Sequence, residues 1–180
     1  YILCIANTYP HKNVHLLIEA FGRVLDTIPH RLVLVGKPRL GEPDVQKALT
    51  GVSDQSRIRR LFHVDFRGLI ALYQRVDLFV FPSLYEGFGL PVLEAMMAGV
   101  PVLTTRCGSI PEVGGDKVSY FNPQSVADLA REIIKITTWP RDLRKICVEE
   151  AQKYASGFSW RQTAEKTMEC FKQIGAVDHR

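Results

Sequence analysis

The sequence predicts an α/β fold: one parallel sheet with helices on both faces and further helices appended at the C-terminal end. Three observations carry this expectation. Short runs such as Leu78-Phe79-Val80-Phe81 are apolar at every position, which suits strands buried on both faces. Between such runs, apolar residues recur at helical spacing. Strand-like and helix-like segments then alternate along the 180 residues, the order of β–α–β units whose crossovers cover a sheet.

The elements follow in order. Residues 2–6 form a short apolar run, a buried strand. From Lys12 onward, Val14, Leu17, Ile18, Phe21, Leu25 and Ile28 mark a helix that Pro29 stops. Residues 31–36 read as the second strand, 38–43 as a loop, and a helix follows to Thr50. Residues 60–66 read as a short third strand, 69–76 as a short helix and 77–82 as the fourth strand. A helix from Leu90 has Pro91 in its first turn and Gly99 just past its end, the usual asymmetry of helix termini. Residues 101–105 form the fifth strand, 107–116 a turn-rich loop and 118–121 a short edge strand. Residues 125–137 are amphipathic, with Val126, Leu129, Ala130, Ile133 and Ile134 on one face. Pro140 opens a helix to Ala155, and Ser159 N-caps a last one to Ile174. The expected division is a nucleotide-binding domain over 1–156 and, over 157–180, a C-terminal helix that packs back on it or toward another domain.

Composition narrows the function. A net charge of +4 without a run of five or more like charges fits an anionic small ligand or the inner membrane surface, and is too diffuse to argue for nucleic acid. Cys4, Cys107, Cys147 and Cys170 lie far apart, as reduced thiols of a cytoplasmic protein do, mostly packed as small apolar residues. No apolar run approaches the ~18 residues of a membrane span. The chain opens at Tyr1-Ile2-Leu3, inside a strand-like run, and is expected to be a piece of a longer protein.

The chemistry concentrates after the fourth strand. Glu86 and Glu94 bracket Gly87-Phe88-Gly89-Leu90-Pro91-Val92-Leu93 at a strand-to-helix turn. Glycines there let backbone amides approach a ligand, and the helix start offers unpaired N–H groups to phosphate. A glutamate on either side can hold hydroxyls, so the pattern fits a nucleotide sugar. Glu94 lies in an otherwise apolar run and is expected to be buried and to need donors, from ribose or from a neighbouring Arg or Lys. Glu86 faces the cleft as a sugar contact or is an exposed loop acid. Lys12, at a helix start where a cation is unfavourable, is expected to serve a diphosphate, the alternative being a solvated lysine. His11 and His15 have the spacing of helix metal ligands but no third ligand nearby, so no metal site is expected. Gly87-x-Gly89 is not a dinucleotide fingerprint: Val92 stands where a third glycine belongs, and the strand before it is not the first.

The stretch 86–94 followed by Ala-Met-Met-Ala-Gly-Val-Pro resembles the signature of family 4 retaining glycosyltransferases, which have the two-domain GT-B fold. The likeness also includes Tyr9-Pro10-His11-Lys12-Asn13, Leu72-Tyr73, 77–83, 110–116 and Phe158-Ser159-Trp160. It implies the Rossmann-like, donor-binding C-terminal half. In that family the residue matching Glu86 contacts the donor sugar and the one matching Glu94 holds ribose. The backbone of Gly87, Phe88, Gly89 and Leu90 holds sugar and phosphate, Lys12 binds the diphosphate, and the segment around Val64 borders the base. Asn7 stands where many members carry an arginine, so phosphate contact falls to Lys12 and main-chain amides, with Arg106 as a candidate for compensation.

The implied activity is that of a retaining hexosyltransferase: transfer from a nucleoside-diphosphate sugar, GDP-mannose or a UDP-hexose, to a hydroxyl of a saccharide or lipid-linked acceptor. The products would be polysaccharide, lipopolysaccharide or glycolipid. No metal or other cofactor is expected, since no Asp-x-Asp motif occurs. The acceptor site would lie in an N-terminal domain absent from this chain, leaving the piece inactive alone. The location implied is cytoplasmic, with peripheral association at the inner membrane face. Two alternatives stay open: a GT-B-type nucleotide-sugar epimerase and a non-catalytic nucleotide-sugar-binding subunit.

Overall fold

The structure is a computed structural model and describes residues 1–175. Six strands, β1 (Ile2–Ile5), β2 (Leu32–Val35), β3 (Ile58–Leu61), β4 (Leu78–Phe81), β5 (Val102–Thr104) and β6 (Ser119–Tyr120), form one sheet. All pairings are parallel and the order is β3-β2-β1-β4-β5-β6. The order reverses between β1 and β4, where Ile2 pairs with Leu78 and Leu3 with Phe79. Open parallel sheets bind ligands at such a point, outside the carboxyl ends of the strands.

Period-two alternation divides each strand between two cores. Ile2 and Cys4 of β1, Leu32 and Leu34 of β2, Leu78 and Val80 of β4, and Leu103 of β5 face one side. There they meet the apolar stripes of α1 (Val14–Val24), α2 (Glu42–Thr50) and α6 (Val126–Thr137). Leu3, Val35, Phe79, Phe81 and Val102 face the other side. They pack on α3 (Phe66–Tyr73), α4 (Leu90–Met97), α5 (Ile110–Gly114) and α7 (Arg141–Ala155). Each of the four β4 residues is at most 1% exposed, which is why that strand reads as an unbroken apolar run.

Four expectations are corrected. The third strand ends at Leu61, because the Asp65 side chain accepts the Gly68 N–H at 2.7 Å and starts α3 at Phe66. The loop after β5 contains α5, a single turn with Pro111 near its start. The first helix begins at Val14, after a 3₁₀ turn over Pro10–Lys12 and the left-handed Asn13 at φ 54°. Of the cysteines only Cys4 is buried, its thiol pushed up to about 12 by burial; Cys107 and Cys147 are half-buried and Cys170 is exposed.

The last helix, α8 (Trp160–Gly175), starts at the Ser159 cap, whose hydroxyl accepts from Gln162 N–H at 3.2 Å. Every residue over 159–174 is exposed, Trp160 (76%), Phe171 (63%) and Ile174 (64%) included. Of the two packings expected for it, back on this domain or toward another, the first is not seen over those residues.

The loop after β1 is locked from behind. Glu42 accepts two Arg60 bonds at 2.6 and 2.9 Å, the Thr8 hydroxyl at 3.0 Å and the Gln46 amide at 2.6 Å. These bonds, Arg60 foremost, hold the Glu42 carboxyl at about 2, against an ordinary 4.5. A carboxyl with a depressed folded value stabilises the fold above its unfolded value and loses that stabilisation as pH falls through the folded one. Stability is therefore expected to drop between pH 4.5 and about 2, and Glu42→Gln should flatten that part of the curve. Calorimetric melting across the window checks it; an unchanged slope in the variant would count against the assignment.

Candidate functional site

Two loops meet at the point where the strand order reverses. The loop after β1 carries Asn7 to Lys12, and the loop after β4 carries Ser83 to Gly89. A backbone bond joins them, from Leu84 N–H to the His11 carbonyl at 2.7 Å. The Thr105 hydroxyl ties the second loop to β5 through the Ser83 carbonyl at 2.5 Å.

Lys12 and Glu86 face one another, with Lys12 Nζ 2.5 Å from Glu86 Oε1. Their side chains are 20% and 13% exposed, so the pair is sheltered but reachable. Lys12 Nζ also lies over the Phe81 ring, 5.4 Å from its centroid, a cation–π contact that fixes the ammonium laterally. Glu86 is thus paired and half-buried, and Lys12 is sheltered in the same contact.

Glu86 is clamped through its backbone as well. Ser109 Oγ donates to the Glu86 carbonyl at 3.1 Å and Ser109 N–H at 3.4 Å. Gly108 makes that approach possible: at φ 57°, a Cβ there would sit 2.6 Å from the Glu86 carbonyl oxygen. Sequence reasoning took this segment as a turn and missed the clamp. The glycine between Cys107 and Ser109 was the available signal.

Gly89 closes the turn at φ 97° and caps α4 without a side-chain acceptor. Only glycine adopts that φ readily. Among the described residues, no protein acceptor takes the backbone N–H of Gly87, Phe88, Gly89 or Leu90. These amides follow Glu86 directly in the chain and lead into the N-terminus of α4, its positive end. A Cβ on Gly87 would meet nothing within 4 Å, so this side of the turn is open. Phe88 is instead anchored, edge-on to Phe158 with ring centroids 6.3 Å apart.

Glu94 departs from expectation: it is exposed, not buried. Its position on α4 turns it to the rim, where the helix leaves the core. It makes no ion pair among the described residues. Its protein donor is the Tyr73 hydroxyl, 3.0 Å from Oε2.

The remaining candidates scatter around this centre. Asn7 Oδ1 accepts the Lys37 backbone N–H at 2.8 Å, so this side chain braces the loops after β1 and β2. Arg106 stacks on Tyr120, 3.9 Å from the ring centroid. Val64 is half-buried against the core that includes Tyr73. His11 is exposed and stacks on Tyr9. Among the described residues no three His, Cys, Asp or Glu side chains are grouped to hold a metal ion, and no helix is long and apolar enough to cross a membrane.

Known proteins are similar to this chain in sequence and in shape. The profile of the family described as "Glycosyl transferases group 1" matches residues 1–154. The serotype-specific mannosyltransferase WbdA of Escherichia coli is 35% identical over 182 aligned residues, covering 97% of this chain and 22% of that protein. The chain therefore spans under a quarter of that relative's length. Two crystal structures have the same fold. A glycosyltransferase from Rickettsia africae matches with a TM-score of 0.84 and 22% identity, over 96% of this chain and 47% of that one. The C-terminal domain of a group 1 glycosyl transferase from Francisella tularensis matches at 0.76 and 23%, over 87% of this chain and 85% of that one.

Proposed function

The chain belongs to the group 1 glycosyl transferases, and from that premise we propose that it is the donor-binding half of a retaining hexosyltransferase, holding a nucleoside-diphosphate sugar. The observation that carries this reading is the Lys12–Glu86 pair set beside four unengaged amides at the start of α4. Diphosphate takes the ammonium and the amides, the sugar hydroxyls take Glu86, and the ribose hydroxyls take Glu94. The relative named as a mannosyltransferase favours mannose as the transferred sugar; the donor classes proposed are GDP-mannose and UDP-hexoses. The acceptor is a saccharide or lipid-linked glycan, bound by a separate domain, so this chain alone binds donor without turning it over.

The chemistry proposed is electrostatic. As the glycosidic bond breaks, negative charge grows on the diphosphate and positive charge on the anomeric carbon. Lys12 and the α4 amides stand where the first develops and are already oriented, so they lower the barrier without reorganising. They also supply the charge neutralisation that a divalent metal otherwise brings. Glu86 positions the sugar as the acceptor hydroxyl enters on the face the diphosphate leaves.

Glu94→Ala tests the nucleotide end. Removing charge-assisted bonds to ribose is expected to cost about 1.5–3 kcal/mol, some 10- to 150-fold in affinity. Calorimetric titration of UDP, GDP and ADP into wild type and variant measures it. Unchanged affinity would take Glu94 out of the site.

A further inference from the structure

Tyr73 is buried to 5% exposure at the end of α3, with its ring against Phe79 at a centroid distance of 5.6 Å. Its hydroxyl emerges from this apolar packing at one place, beneath Glu94, at 3.0 Å from Oε2. The same oxygen lies 3.4 Å from the Pro91 carbonyl, in the first turn of α4. A phenol carries one proton, and the shorter contact takes it.

Glu94 is exposed, has three rotatable bonds and makes no ion pair among the described residues. A carboxylate in that setting wanders among rotamers unless something holds it. We propose that Tyr73 is the positioning residue for Glu94: its buried hydroxyl fixes one carboxylate oxygen so that the other, and the remaining lone pair of the first, present a fixed pair of acceptors to a vicinal diol. This deepens, and rests on, the reading of Glu94 as the ribose contact. It makes the α3–α4 junction the element that selects ribonucleotides over their deoxy counterparts.

The chemistry fits that role. Burial, reinforced by Glu94, pushes the Tyr73 phenol well above its usual range. It therefore stays a proton donor at any working pH and never repels the carboxylate. The Phe79 ring packs against the phenol ring and holds the oxygen at the edge of α4, and the O–H points to Glu94.

The test is Tyr73→Phe, which keeps the ring and removes the hydroxyl. Affinities of UDP and GDP are compared by calorimetry with those of their 2′,3′-dideoxy analogues, in wild type, Tyr73→Phe, Glu94→Ala and the double variant. The expected result is a loss of about tenfold for the ribonucleotides in Tyr73→Phe, with the dideoxy analogues unchanged. In the Glu94→Ala background the same change should have no further effect. An equal loss on both nucleotide classes would make Tyr73 merely structural and overturn the proposal. So would a full ribo-to-dideoxy ratio in Tyr73→Phe when Glu94→Ala has abolished it, while the site reading stands. Wild type that binds ribo and dideoxy forms alike would overturn the site reading itself, and this proposal with it. Should the phenylalanine variant fold poorly, Tyr73→Leu removes the hydroxyl with a different apolar filler and is read the same way.

Discussion

Lys12→Ala is expected to lower affinity for a nucleoside diphosphate by about a hundredfold or more, and to leave affinity for the matching nucleoside nearly unchanged. Two losses combine. The ammonium no longer meets the diphosphate, which removes charge-assisted bonds of about 1.5–3 kcal/mol. Glu86, held at 2.5 Å in the native pair, keeps its charge without a partner. Breaking one side of a sheltered ion pair costs more than the pair contributes, and here the orphaned carboxylate also repels the incoming anion. Titration of GDP and UDP against guanosine and uridine separates phosphate from base and ribose. Equal losses on both classes would argue against a phosphate role. The double variant Lys12→Ala/Glu86→Ala should recover part of the diphosphate binding, because the repelling charge is gone.

Glu86→Ala should behave in the opposite sense. On the proposed reading of a donor half joined to an acceptor-binding domain, turnover is expected to fall by roughly 10²-fold, the cost of a misplaced reacting group. Nucleotide affinity should hold or rise, because Lys12 loses its internal partner and is released to the diphosphate. Steady-state rates with the sugar donor, set beside equilibrium binding of the nucleoside diphosphate, measure the split. An unimpaired rate would remove Glu86 from contact with the sugar.

The sheet was legible because its strands are buried on both faces. Ile2 to Ile5, Leu32 to Val35 and Leu78 to Phe81 have no polar position that a solvent-facing strand would need. Where burial is partial the reading slipped. The third strand, Ile58–Leu61, is half-exposed at the sheet edge and carries Arg59 and Arg60, so its apolar signal is thin. The next segment's Phe62 and Val64 drew the strand too far. The short α5 was hidden because five residues make too little periodicity to register.

At the site, residues of unusual type for their surroundings were legible: Glu86 and Glu94 beside glycines, and a lysine before a helix. What the sequence did not reveal were relations across distance. Lys12 and Glu86 are 74 residues apart, and only the β1–β4 pairing brings them into contact. Tyr73 and Glu94 meet only because α3 and α4 pack on the same face of the sheet. Asn7 likewise spends its side-chain carbonyl on the neighbouring loop, a choice its type leaves open.

The exposed last helix has a practical consequence. Trp160, Met168 and Phe171 line up along α8 at helical spacing, each more than half exposed, with Cys170 beside them. A greasy ridge of this kind is sticky. Sedimentation at rising concentration is the check on self-association through it, and oxygen would let the exposed Cys170 thiols of two copies met in this way close a disulfide. Dilute, reduced protein is the preparation in which nucleotide titrations report on the Lys12–Glu86 site alone.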